Sequence, residues 1–133
     1  MATTLTKLRH QAFADQQGRC FYCGFPMWER NGKTFALQHG VPKSKARHLR
    51  CTAEHLMARQ NAGKDVRENI VAACCWCNQA RHRSPKSAPD PQTWRREVRA
   101  RLASHAWHPA ARELLPGRPR APTRAPAAGA GGG

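Results

Sequence analysis

Hydrophobic positions along the chain fall into short, separate patterns. Leu5, Leu8, Ala12 and Phe13 recur at helical spacing, which predicts a helix over residues 3–17 with Gly18 as its stop. Cys20-Phe-Tyr-Cys23-Gly24 reads as a tight turn enclosing two aromatic residues, and 26–32 as an irregular or hairpin segment. A short strand is predicted at 34–38, and a second one over 49–55 leading into a loop. Residues 60–69, with Asn-Ala-Gly-Lys-Asp at their centre, read as a polar loop, and the β-branched run in 69–73 as a further strand. A helix over 76–83 opens on a second cysteine pair. Pro85 and Pro89 mark 84–90 as a linker. Asp90 as N-cap with Pro91 at the first helical position starts another helix, whose apolar stripe is Trp94, Val98 and Leu102. Residues 116–133 shift to Pro, Ala, Gly and Arg and are predicted to form a disordered tail. The pattern describes one small α+β domain over residues 1–115, with its core in 19–83 and a C-terminal helix at about 91–104.

Charge narrows the class of partner. The 133 residues hold 23 Lys+Arg and 8 Asp+Glu, a formal net charge of +15, and the sequence pI is about 11.0. That balance is the footprint of nucleic-acid binding, less often of an anionic membrane or an acidic partner protein. With 40% hydrophobic residues the core is small and in need of a staple. No apolar run approaches the ~20 residues of a membrane span, and residues 1–19 lack the apolar stretch of a secretory leader. The expectation is a cytoplasmic protein, bacterial or phage-encoded by its Ala, Arg, Pro and Gly richness. In that compartment disulfides are rare, so cysteines serve as metal ligands or free thiols.

The six cysteines stand at 20, 23, 51, 74, 75 and 77. Cys20-x-x-Cys23 and Cys74-x-x-Cys77 are two knuckles, each able to give two thiolates to one tetrahedral zinc. The alternative is two unrelated thiol pairs, or a redox pair. Zinc here ties the N-terminal segment to the middle of the chain, and its binding energy becomes folding energy. Cys75 is one residue off the spacing and reads as a bystander, Cys51 as a core residue. Between the knuckles stands Glu54-His55, followed by Asn69, Asn78 and His82. Asn78 and His82 are four apart and share a helix face. A carboxylate, an amide oxygen and an imidazole facing one point suit a hard divalent ion such as Mg²⁺ or Mn²⁺. His55 then stays free as a base toward water at a phosphodiester. His39 and His48 lie in a basic stretch and read as facing nucleic acid or solvent, and His10, His105 and His108 carry no pattern.

Cys-x-x-Cys, then Glu-His, then Asn, then Cys-x-x-Cys-Asn-x-x-Arg-His resembles the HNH endonucleases, members of the ββα-metal nucleases. The resemblance spans about residues 19–83. It implies a two-stranded hairpin and a helix around one catalytic divalent metal, with a zinc site holding the module together. It places Glu54 as an acidic metal ligand, His55 as general base and Asn69 as the residue pinning the loop that carries the base. Asn78 and His82 both fall at the last family letter, so either or both reach the metal. Two departures stand out: Glu replaces the more usual Asp before the base, and the proline commonly found a few residues later is absent from His55-Leu-Met-Ala-Arg.

Phosphate contacts are expected from Lys43, Lys45, Arg47 and Arg50, and from Arg81 and Arg83 beside the metal helix. The arginines at 95, 96, 99 and 101 either lie along a groove or stay wet on a helix packed by its apolar stripe. These residues describe an endonuclease that hydrolyses DNA, with RNA not excluded, acting as a monomer that nicks or a homodimer that cuts both strands. Two rivals remain: a non-catalytic zinc-dependent nucleic-acid-binding module, and a nuclease subunit whose specificity comes from a partner protein.

Overall fold

Two antiparallel strands, β1 (Cys51–His55) and β2 (Ile70–Cys74), form the centre of the fold. Cys51 pairs with Cys74 and His55 with Ile70, so the hairpin opens on one knuckle and closes on the base position. The structure, a computed structural model, describes residues 2–83 and 87–115. The expected tail at 116–133 and the first half of the expected linker lie outside the described residues.

Helix α1 (Thr4–Asp15) starts where the Thr3 hydroxyl accepts the Thr6 amide. It ends at Gln17 and Gly18, both in the left-handed region. It lies against both strands, and Gln16 finishes its work: the Gln16 amide donates to the Ala72 carbonyl and accepts from the Ala72 amide, at 2.8 and 2.9 Å. One side chain thus pairs both backbone groups of an edge position of β2 as a neighbouring strand would.

Residues 34–38 are not a strand. They belong to helix α2 (Gly32–His39), because the Asn31 side chain caps the Thr34 amide and Gly40, at φ 62°, ends the helix. Phe35 and Ala36 are buried and Leu37 is exposed, a helical face rather than an alternating one. The 26–32 segment forms no hairpin; it is fixed by isolated bridges pairing Arg19 with Pro26 and Trp28 with Arg50. A short helix α3 (Lys43–Ala46) and a 3₁₀ turn (Arg47–Leu49) then lead into β1.

Helix α4 (Cys75–Arg81) leaves β2 directly, with the Cys74 sulfur accepting the Cys77 amide at its start. Helix α5 (Pro91–Ala103) has the expected Asp90 cap and buries Trp94, Val98 and Leu102. Its arginines fasten the first knuckle and the tryptophan layer. Arg95 lies 4.9 Å from the Phe21 ring, Arg99 Nε donates to the Tyr22 carbonyl, and Arg101 lies 5.3 Å from the Trp107 ring. A last turn, α6 (Ala111–Leu114), follows. Cys51 packs in the core, where burial pushes its thiol up to about 12. Among the described residues no helix is long and apolar enough to cross a membrane.

Candidate functional site

The two knuckles converge. The sulfurs of Cys20, Cys23, Cys74 and Cys77 lie within 4.8 Å of one another and all four residues are buried. Cys23 and Cys74 sulfurs are 3.9 Å apart. That is nearly twice a disulfide bond of about 2.05 Å and close to the ~3.8 Å edge of a tetrahedron with metal–sulfur bonds of about 2.3 Å. Every sulfur also receives an N–H donor: Tyr22 and Cys74 amides on Cys20, the Phe25 amide on Cys23, the Cys77 amide on Cys74, and the Trp107 indole on Cys77. Donors of this kind favour thiolates. Burial opposes the Cys20 thiolate, but hydrogen bonds from the other three thiols outweigh it and hold Cys20 well below an ordinary thiol. Burial pushes Cys23 and Cys74 up. The four cysteines therefore form a cage positioned to hold a metal, with zinc-compatible dimensions. Cys75 stays outside it and half-buried.

The second cluster is built across β1 and α4. Alternation along β1 turns Thr52 and Glu54 toward the helix. Thr52 Oγ1 donates to the Ala73 carbonyl and accepts from Asn78 Nδ2 at 2.9 Å. Asn78 Nδ2 also lies 3.4 Å from the Ala53 carbonyl. The amide nitrogen is thereby spent on β1, and Oδ1 makes no hydrogen bond among the described residues. Glu54 is 2% exposed. Its Oε2 accepts from the Tyr22 hydroxyl and from Arg81 NH1, each at 2.8 Å. Its Oε1 lies 3.0 Å from His82 Nε2. The 3.0 Å between Oε1 and Nε2 is a hydrogen-bond distance, and it also matches the roughly 3 Å between neighbouring ligands in an octahedral shell of about 2.1 Å. An oxygen, an imidazole and a free amide oxygen make a chemically suitable donor set.

Arg81 corrects the expectation of a phosphate contact. It is 3% exposed, and it also donates to the carbonyls of His55, Leu56 and Pro89. A guanidinium so enclosed balances a buried carboxylate and cannot meet a phosphate. The Lys45 ammonium lies 2.9 Å from Glu113 Oε2. Lys43, Arg47 and Arg50 are exposed, as is Arg83, which stands 6.0 Å from the Trp76 ring.

His55 closes β1. Its Nε2 lies 2.8 Å from Asp65 Oδ1 and 3.3 Å from Arg59 Nε, while Arg59 NH2 holds Asp65 Oδ2 at 3.0 Å. The hydrogen bond from His55 holds the Asp65 carboxyl below its usual range, despite some desolvation, with Arg59 adding to the effect. The loop carrying Asp65 is tied by Asn69. Its Oδ1 accepts the Met57 amide at 2.7 Å, and its Nδ2 donates to the carbonyls of Met57 and Lys64 at 3.0 Å. Gly63 is required in this loop, since a Cβ there would lie 1.7 Å from the Met57 carbonyl oxygen.

Three residues of this cluster, Tyr22, Asp65 and Arg59, were not singled out by pattern. Nothing in their spacing marks them, because each acts across a turn or between elements. His48 packs edge-on against Trp76, and burial, with help from Arg47, pushes its pKa down. His39 is exposed. His108 is buried against Phe25 and Trp76, with its pKa brought down to about 4 by desolvation.

A cysteine cage that clasps a two-stranded hairpin and a helix, with Glu54 and His82 meeting at the hairpin–helix seam, defines a small α+β metal-binding module. The family model of the HNH endonucleases matches residues 20–84, and this segment of the chain belongs to that family. The match runs from the first cage cysteine to just past His82 and so takes in both clusters. No curated protein and no solved structure matches the chain.

Proposed function

We propose that the protein is an endonuclease that hydrolyses DNA phosphodiester bonds. The observation that carries this reading is the seam itself. Glu54 Oε1 and His82 Nε2 stand 3.0 Å apart, and His55, the next residue on β1, carries its own carboxylate partner. Glu54, His82 and Asn78 Oδ1 would hold Mg²⁺ or Mn²⁺. A cation held there supplies positive charge to the crowded phosphate and to the leaving oxygen. His55 takes the proton of the attacking water at the ring nitrogen not engaged by Asp65. The 2.8 Å contact to Asp65 outranks the 3.3 Å contact to Arg59 in setting the tautomer. Lys43, Arg47, Arg50 and Arg83 supply affinity for the backbone. The cage metal is zinc, and residues 1–115 act as one domain in the cytoplasm of a bacterial host, alone or as a homodimer.

One observation favours a second reading, a binding module without catalysis: both oxygens of Glu54 already have protein partners. Conversion of supercoiled plasmid to open circle decides between them. With Mg²⁺ or Mn²⁺ present, the zinc-loaded parent should nick and His55→Ala should not. Equal inertness of both, with salt-sensitive binding retained, would establish the binding module or a subunit that depends on a specificity partner.

A further inference from the structure

Tyr22 lies between two cage cysteines, yet its side chain serves the other cluster. Its amide donates to Cys20 Sγ, and its carbonyl accepts from Arg99. The backbone is fixed on both sides, and the side chain is fully buried. At its end the hydroxyl donates to Glu54 Oε2 at 2.8 Å, thirty-two residues away in sequence. A buried hydroxyl costs stability unless partnered. A phenyl ring alone would fill the same apolar space and keep the edge-on contact with the neighbouring Phe21 ring at 5.2 Å.

A carboxylate is free to rotate about its last bond unless its oxygens are distinguished. Here they are. Tyr22 and Arg81 both engage Oε2, and Oε1 is left to His82. We propose that Tyr22 is a positioning residue: its hydroxyl, together with Arg81, holds Oε2 inside the fold so that Oε1 faces His82, and the Cys20–Cys23 knuckle thereby sets the geometry of the Glu54–His82 pair. The catalytic consequence rests on the nuclease reading above; the positioning itself does not. Full burial keeps Tyr22 from touching substrate, so it acts only through Glu54.

The test uses the full zinc-loaded chain with ¹⁵N-labelled histidine and no other divalent ion. Tyr22→Phe should shift the His82 ring signals and leave those of His108, which packs against Phe25 beside the knuckle, in place. An unmoved His82 overturns the proposal. Equal shifts at both histidines overturn it as well, because Tyr22 then serves the knuckle's packing. Tyr22 is the chain's only tyrosine, which gives a second reading should the variant not fold. The slowly exchanging hydroxyl proton of the parent should move in His82→Ala, since the two residues hold opposite oxygens of Glu54, and a proton that stays put, or is absent from the parent, overturns the proposal. In a parent that nicks plasmid, Tyr22→Phe should nick about 10–100-fold more slowly; an unchanged rate counts against the proposal. A parent inert on plasmid but showing the expected shifts removes the nuclease reading and leaves the role of Tyr22 standing.

Discussion

Glu54 and His82 meet across the seam between β1 and α4, with Oε1 and Nε2 3.0 Å apart. One comes from a strand, the other from the residue that caps the end of a helix starting on the cysteine cage. Substituting either should abolish the divalent-ion binding proposed for this seam. His82→Ala should lower nicking by more than a hundredfold while leaving the cage metal and the fold intact, as read by plasmid assay and metal analysis.

Glu54→Gln should cost more than activity. It leaves Arg81, 3% exposed, as a buried charge without its counter-ion, a change of about 3–5 kcal/mol in unfolding free energy. Replacing both, as Glu54→Gln with Arg81→Met, should recover part of that loss. Urea titration of the two single variants and the pair measures the coupling.

Removing the cage metal should unfold the module rather than merely silence it. The four buried thiols bring two distant stretches of a small core together, and the free energy of metal binding there is folding free energy. A strong chelator should collapse the helical circular dichroism signal, and added Zn²⁺ should restore it.

His108 gives the fold an acid limit of its own. Desolvation holds its pKa at about 4 in the folded state against an ordinary 6.5. The unfolded chain therefore takes up the proton first, and stability is full above pH 6.5 and falls as pH drops toward 4. The loss over that window is about 3 kcal/mol. His108→Phe should flatten the midpoint of denaturation between pH 6.5 and 4 relative to the parent.

Two sets of basic residues should separate in their response to salt. Lys43, Arg47 and Arg50 are exposed, and replacing all three with alanine should lower the slope of log affinity against log salt by up to about 3. Arg95, Arg99 and Arg101 are engaged with Phe21, the Tyr22 carbonyl and Trp107. Their replacement should lower thermal stability and leave the slope nearly unchanged.

Much of this was legible before the fold was seen, and the reason is local. The stop at Gly18, the cap at Asp90, the stripe of Trp94, Val98 and Leu102, and the two strands each carry their signal within a few residues. The cage was legible because its spacing is chemical. Residues 34–38 misled because Thr-Phe-Ala-Leu fits a strand as well as a helix; the deciding residues, Asn31 and Gly40, lie outside the segment. Arg81 misled because charge in a basic chain suggests phosphate, whereas its place is fixed by a buried carboxylate twenty-seven residues away. Tyr22 and Asp65 left no trace in any periodicity, since their roles exist only once distant elements have packed.

The cage joins sulfurs fifty-four positions apart, from Cys20 to Cys74. Closing so long a loop costs roughly 3–4 kcal/mol of chain entropy before any bond repays it. During synthesis the first knuckle must wait, unmated, until the second has emerged, and Glu54 cannot be set by Tyr22 until then. Cage and Glu54–His82 pair are thus completed in one late event. A truncated or half-made chain carries the whole basic surface up to its end but no assembled centre, so such fragments should cling to nucleic acid without cutting it.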